Sequence, residues 1–177
     1  CVFVPTAGDW VGTNFAFSTD ECQLEAVFGL TSDAEVYADL VVTSAGFDVT
    51  MAGGTPVVFT LTEKDFTGTG EIVADFTEGG TFNGVEVPPL DAVLTLTSIM
   101  TGSFSSETSA TVAQDATGTC EGADCALVLA MAGISGETCA SEGTYDFNWT
   151  DSAPGGGDTG GPDDTGAPGD TGDADAD

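Results

Sequence analysis

The chain is written as a succession of short runs in which apolar and polar residues alternate, and this period of two constrains its fold most. Side chains alternating in this way stand on opposite faces of a strand, so one face is committed to a core. The closing run is the clearest, with Tyr145, Phe147 and Trp149 interleaved with Asp146 and Asn148. Val36, Ala38, Leu40 and Val42 repeat the pattern, as do Phe47, Val49 and Met51, and then Val57, Phe59 and Leu61. Turn residues separate the runs: Thr31-Ser32-Asp33, Ser44-Ala45-Gly46, Gly53-Gly54 and Glu63-Lys64-Asp65. Short strands at such spacing predict an all-β domain, an antiparallel sandwich or meandering barrel of about 8–10 strands.

Other stretches carry the pattern less strictly. Val11, Thr13, Phe15 and Phe17 predict a first strand after Gly8-Asp9-Trp10. A polar turn at Ser18–Glu21 then leads to a second apolar row of Cys22, Leu24, Ala26, Phe28 and Leu30. Ile72, Ala74 and Phe76 line a glycine-interrupted strand, and residues 81–89 are ambiguous because Pro88-Pro89 does not fit a central strand. Ala92, Leu94, Leu96 and Met100 head a long run, expected to turn near Gly102 into Ser103–Gln114. Asp124 and Gly133 bracket a short helix near 125–132, with Leu127, Ala130 and Met131 on one face. A strand through Leu127, Leu129 and Met131 is the competing reading. From Asp151 onward the chain is Asp, Gly, Pro, Thr and small residues, which cannot bury enough surface to offset ordering entropy. The organisation expected is a lead over 1–7, a β-domain over 8–150 and an acidic disordered tail over 151–177.

Charge narrows the function classes. Lys64 is the one basic residue against 30 acids, a formal charge of −29. Nucleic acid is excluded as a partner, because phosphates need Lys and Arg to neutralise them. Electrostatic attachment to anionic lipid is excluded for the same reason. With no His and no Arg, the usual nucleophile–base triads, zinc hydrolase sites and phosphate clamps are missing. No catalytic residue is assigned and the expectation is a non-enzyme. The chemistry that survives is a carboxylate-dependent polysaccharide hydrolase, which needs only two acids at the right separation. Calcium is the one cation with candidates: Asp173, Asp175 and Asp177 place hard oxygen donors at alternate positions, a weak site at most.

The cysteines bear on compartment. Cys22, Cys120, Cys125 and Cys139 are an even number in the foldable body, where three pairings are open. Cys120 and Cys125 flank a four-residue turn and are close enough to bridge, which would leave Cys22 to tie an early strand to Cys139. Disulfides imply an oxidising compartment, and hence export.

Cys1 is left without a partner, and a mature chain that begins with Cys before a small β-domain resembles a bacterial lipoprotein after removal of its signal peptide. In that family the first cysteine carries the lipid. Asp-Thr-Gly at Asp158, Asp164 and Asp170 resembles the tails of surface lipoproteins of myxobacteria and related bacteria. The same tripeptide serves aspartic proteases, but there it sits in a rigid, apolar-flanked loop, and here it lies in the tail. The lipoprotein resemblance implies lipidation at Cys1 and contact with the membrane through that anchor. By the sorting rule of that family Val2 implies the outer membrane, hence the surface of a Gram-negative bacterium. The function expected is therefore a lipid-anchored envelope protein in binding, adhesion or structure, with a protein or glycan partner. Gly8-Asp9-Trp10 also resembles the G-x-W of lipocalins, although the Arg that family packs over the Trp is absent. That resemblance implies the alternative, a carrier of a small apolar ligand around Trp10, Phe15, Phe17 and Phe28.

Overall fold

A computed structural model describes residues 3–51, 54–82 and 85–151. The first strand, β1, spans Gly8–Asp20 and leads into a short helix, α1 (Leu24–Phe28). Strands β2 (Val36–Val42), β3 (Gly46–Met51), β4 (Val57–Thr62) and β5 (Asp65–Asp75) follow. A small hairpin of β6 (Gly80–Phe82) and β7 (Val85–Val87) precedes the long pair β8 (Val93–Ser106) and β9 (Ser109–Glu121). Helix α2 (Cys125–Ala132) then leads to the last strand, β10 (Thr138–Trp149).

Eight of the strands close an antiparallel barrel in the order β1-β10-β9-β8-β5-β4-β3-β2, and β6-β7 form a separate two-stranded sheet. Of the two expected architectures the chain takes the barrel. Closure removes both free sheet edges along the length where strands pair. The strands are unequal: β2, β3 and β4 run 6–7 residues, whereas β1, β5, β8, β9 and β10 run 11–14. Gly8 pairs with Leu40 and Gly12 with Val36, so β2 covers only the first half of β1. The barrel is complete at one end and has a lateral window at the other.

The complete end is plugged by aromatic rings. Trp10 is fully buried there, stacked on Phe147 at 4.9 Å and edge-on to Phe104 at 5.9 Å. Phe47, Phe59 and Phe66 pack into the same cluster, and Phe3 of the lead lies 5.2 Å from Phe104. The Trp10 indole donates to the Thr6 carbonyl at 2.8 Å, and the Thr6 amide donates to Glu107 O in the β8–β9 turn. Each such ring pair adds about 0.5–1.5 kcal/mol beyond the area it buries. Both described chain ends lie here, since Trp149 pairs with Trp10 and the Thr150 amide donates to Asp9 O.

Glycines make room for these rings. Phe59 pairs with Gly68 and Phe66 with Gly102 across neighbouring strands. A Cβ on Gly68 would stand 2.6 Å from the Phe59 ring, and one on Gly102 would meet Phe66 as closely. The expected turn near Gly102 is therefore corrected. Gly102 lies inside β8, where a ring folds over it, and the chain turns at 107–108 instead. The glycine is there for space.

Two further expectations change. The row Val11, Thr13, Phe15, Phe17 does not form one buried face, because β1 carries a bulge between Thr13 and Ala16. Asn14 adopts φ +57° at the bulge and its amide donates to Asp146 at 2.8 Å. The extra residue switches the phase, so Trp10 and Gly12 face inward before it and Phe15 after it. The row Cys22–Leu30 is no strand either. The Asp20 carboxylate accepts from the amides of Leu24 (2.7 Å) and Glu25 (3.0 Å), which turns the chain into α1, and Gly29 at φ +67° ends it.

The expected helix near 125–132 forms as α2. Gly133 at φ +75° ends it in a Schellman arrangement, its amide donating to Ala130 O and the Ile134 amide to Leu129 O. Asp124 sits at the N-cap without capping, because its carboxylate accepts from the Asp91 amide instead. The face shared by Leu127, Ala130 and Met131 points to solvent, while Cys125, Val128, Leu129 and Ala132 are buried. These pack with Phe76, Leu96 and Ile134 into a second core cluster at the window end. Both disulfides sit at that end: Cys22–Cys139 with Cα atoms 5.0 Å apart and Cys120–Cys125 at 5.7 Å. The first clasps the seam where β1 meets β10, and the second ties β9 to the first turn of α2.

Candidate functional site: a cavity behind the short strands

Where β2, β3 and β4 stop, side chains do not fill the barrel. A cavity of about 580 Å³ lies between the aromatic plug and α1. Its floor is made by Phe47, Phe59, Phe66 and Phe147 of the plug, and Val36, Ala38, Val49 and Val57 form the short-strand wall. Leu24, Phe28 and Leu30, on and after α1, cover the window. Phe28, Met51 and Ile72 are 47 %, 44 % and 46 % exposed, which marks them as an apolar rim. A second hollow of about 240 Å³ adjoins it under α1, sharing Phe28, Ile72 and Leu96. Drug-sized ligands occupy pockets of roughly 300–1,000 Å³.

The wall opposite the short strands carries the polar groups. Ser98 and Met100 of β8, Gln114 of β9 and Tyr145 of β10 all line the cavity. Met100 pairs with Gln114, Gln114 with Gly143, and Tyr145 with Val112, so these residues form one contiguous patch. Gln114 Nε2 donates to Ser98 Oγ at 3.1 Å. Among the described residues the Tyr145 hydroxyl donates only to the Met100 thioether, 3.8 Å away, a weak acceptor. Its ring stacks on Phe15 at 5.0 Å, the residue that the β1 bulge turns inward. Burial raises the Tyr145 phenol well above the ordinary tyrosine value.

Charge is kept out of this interior. Glu71 is the one acidic residue that lines the cavity among the described residues, and it is exposed on β5 between the inward Gly70 and Ile72. Asp20 sits on an inward position at the end of β1, but its oxygens are taken by α1 and by the Ser141 hydroxyl at 2.8 Å. Lys64 is far from the cavity, at the β4–β5 turn of the plugged end, with Nζ 5.5 Å from the Phe3 ring centroid.

Of the residues expected to surround an apolar ligand, Phe15 and Phe28 do line the cavity. Trp10 does not, because it is the plug at the far end. Phe17 packs over Gly143 against the second core cluster. Ser98, Met100 and Gln114 were missed, although their common phase with Leu96 and Val112 was available as a signal. Cys22, Cys139, Cys120 and Cys125 form the two expected bridges. Cys1, Asp173, Asp175 and Asp177, together with the tail from 152, lie outside the described residues. No group of three or more metal-ligating side chains occurs among the described residues. No protein-family model matches the chain, and neither the curated proteins nor the solved structures compared with it include a match.

Proposed function

We propose that the protein binds or carries a small, predominantly apolar molecule inside its barrel. One observation carries this reading: a cavity of about 580 Å³ with aromatic and aliphatic walls, opening at an apolar rim and containing few polar groups. A barrel built only for stability fills its interior with side chains, whereas this one leaves the space behind its short strands empty. The polysaccharide hydrolase reading finds less support, since a pair of carboxylates would have to converge and Glu71 is the one carboxylate lining the cavity among the described residues.

N-phenyl-1-naphthylamine, a neutral apolar fluorophore, tests the reading. Its emission is expected to rise on binding, and Ala38→Phe, which fills the short-strand wall, should weaken that binding while the disulfides and circular dichroism stay native. Absence of a saturable signal, or a signal that Ala38→Phe leaves unchanged, sinks the proposal.

Location is proposed on separate grounds. Two disulfides support an exported protein. A lipid on Cys1 would hold it at the outer membrane, since two or three acyl chains anchor stably where one does not. Intact mass of the protein from its native membrane decides this, because an unmodified Cys1 removes the anchor.

A further inference from the structure

The cavity wall states more than a preference for apolar surface. We infer that the ligand is a neutral molecule with one oxygen function, a long-chain alcohol, ketone or ester, whose oxygen sits against Ser98, Gln114 and Tyr145. This rests on the carrier reading and deepens it.

The wall leaves hydrogen-bonding capacity unused. Ser98 accepts from Gln114 and keeps its own hydroxyl proton to give. Gln114 keeps its carbonyl oxygen and a second amide proton. The Tyr145 hydroxyl spends its proton on a thioether and leaves its oxygen open as an acceptor. A buried tyrosine hydroxyl usually finds a better partner. A ligand hydroxyl, carbonyl or ester oxygen supplies one without moving the backbone, because Ser98, Gln114 and Tyr145 lie on three adjacent strands of one rigid sheet.

Charge then decides between neutral and ionised ligands. A carboxylate at this depth would be buried with no cation to pair it, since Lys64 lies at the plugged end. A formal charge of −29 repels anions from the mouth as well. An ammonium against the Ser98, Gln114 and Tyr145 patch would find no carboxylate there, because Glu71, the one acid lining the cavity among the described residues, is exposed on β5. Neutral oxygen is what the chemistry of the patch accepts.

The test is competition between two probes of one chain length, 1-decanol and decanoate at pH 8, against bound N-phenyl-1-naphthylamine. Decanol is expected to displace the fluorophore at a concentration at least about tenfold lower than decanoate. An alcohol is favoured by any apolar pocket, so the variants carry the decision. Tyr145→Phe with Gln114→Leu should weaken decanol roughly three- to tenfold relative to the fluorophore, whose own affinity for the variant is measured as the reference; that is the range of one or two neutral hydrogen bonds. Decanoate binding as well as decanol, or decanol unaffected by the double variant, overturns this inference and leaves the carrier reading standing. No binding of fluorophore or decanol to the unaltered protein overturns both.

Discussion

Tyr145 shows how one residue reports the state of the barrel. Its ring is half-buried against Phe15, and its proton is held because desolvation of the hydroxyl disfavours the phenolate. The folded protein therefore keeps this proton to a higher pH than the unfolded chain, whose tyrosine titrates near 10. Its contribution to stability is complete below about pH 10 and is lost as pH rises beyond that toward the raised folded value. The other tyrosine, Tyr37, is exposed, and its own upward shift comes first from its hydrogen bond to Glu35, 2.7 Å long. Alkaline titration followed at 295 nm should show one phenolate forming in the native protein and the second only as the fold is lost. Tyr145→Phe should abolish that second step. Two phenolates appearing together below the unfolding transition would mean that the Tyr145 side chain is reached by solvent.

At the scale of elements, the two disulfides do different work. Cys22–Cys139 joins residues 117 apart and closes the β1–β10 seam, so it removes much of the unfolded chain's freedom, about 4–5 kcal/mol on loop-closure entropy. Cys120–Cys125 spans five residues and holds only the start of α2, about 2 kcal/mol by the same reckoning. Replacing the first pair by Ala should lower the melting temperature distinctly more than replacing the second, as seen by calorimetry of each double variant. An equal loss would show that the seam is held by its strand pairing alone. Much at this scale was legible in the sequence, but only where alternation is strict and local. The runs through Val36–Val42, Phe47–Met51 and Val57–Leu61 became β2, β3 and β4, and both bridges joined the cysteines expected. What escaped depended on a contact distant in sequence, on a single backbone angle, or on one side chain bonding the backbone ahead of it. The inward phase of β1 changes at Asn14, whose side chain reaches Asp146. The period-two row after Cys22 became a helix because Asp20 supplies two hydrogen bonds. The cavity was legible only as Phe15 and Phe28, because empty space follows from the unequal lengths of strands once they pair.

For the whole molecule the governing quantity is charge on the outside of a neutral interior. The alternation that builds the barrel also sorts the acids, sending those of β5, β9 and β10 outward while Phe, Val, Leu and Gly face in. With one cation against 30 acids, that outer surface repels itself. Raising salt from 0.01 M to 1 M shortens the screening length from roughly 30 Å to 3 Å, and the melting temperature should climb over that range. A melting temperature that stays flat or falls would show that local hydrogen bonds such as Asp20 to α1, not repulsion, dominate the electrostatics.

The placement of the chain ends sets which way the barrel faces when it is held. The lead at Phe3 and the exit after Trp149 both leave from the plugged end, while the rim of Phe28, Met51 and Ile72 lies at the other. A molecule tethered by either end, to a membrane, a resin or a fused partner, would stand with its opening toward the medium. Exchange with whatever dissolves or diffuses there would then need no clearance on the side of the support.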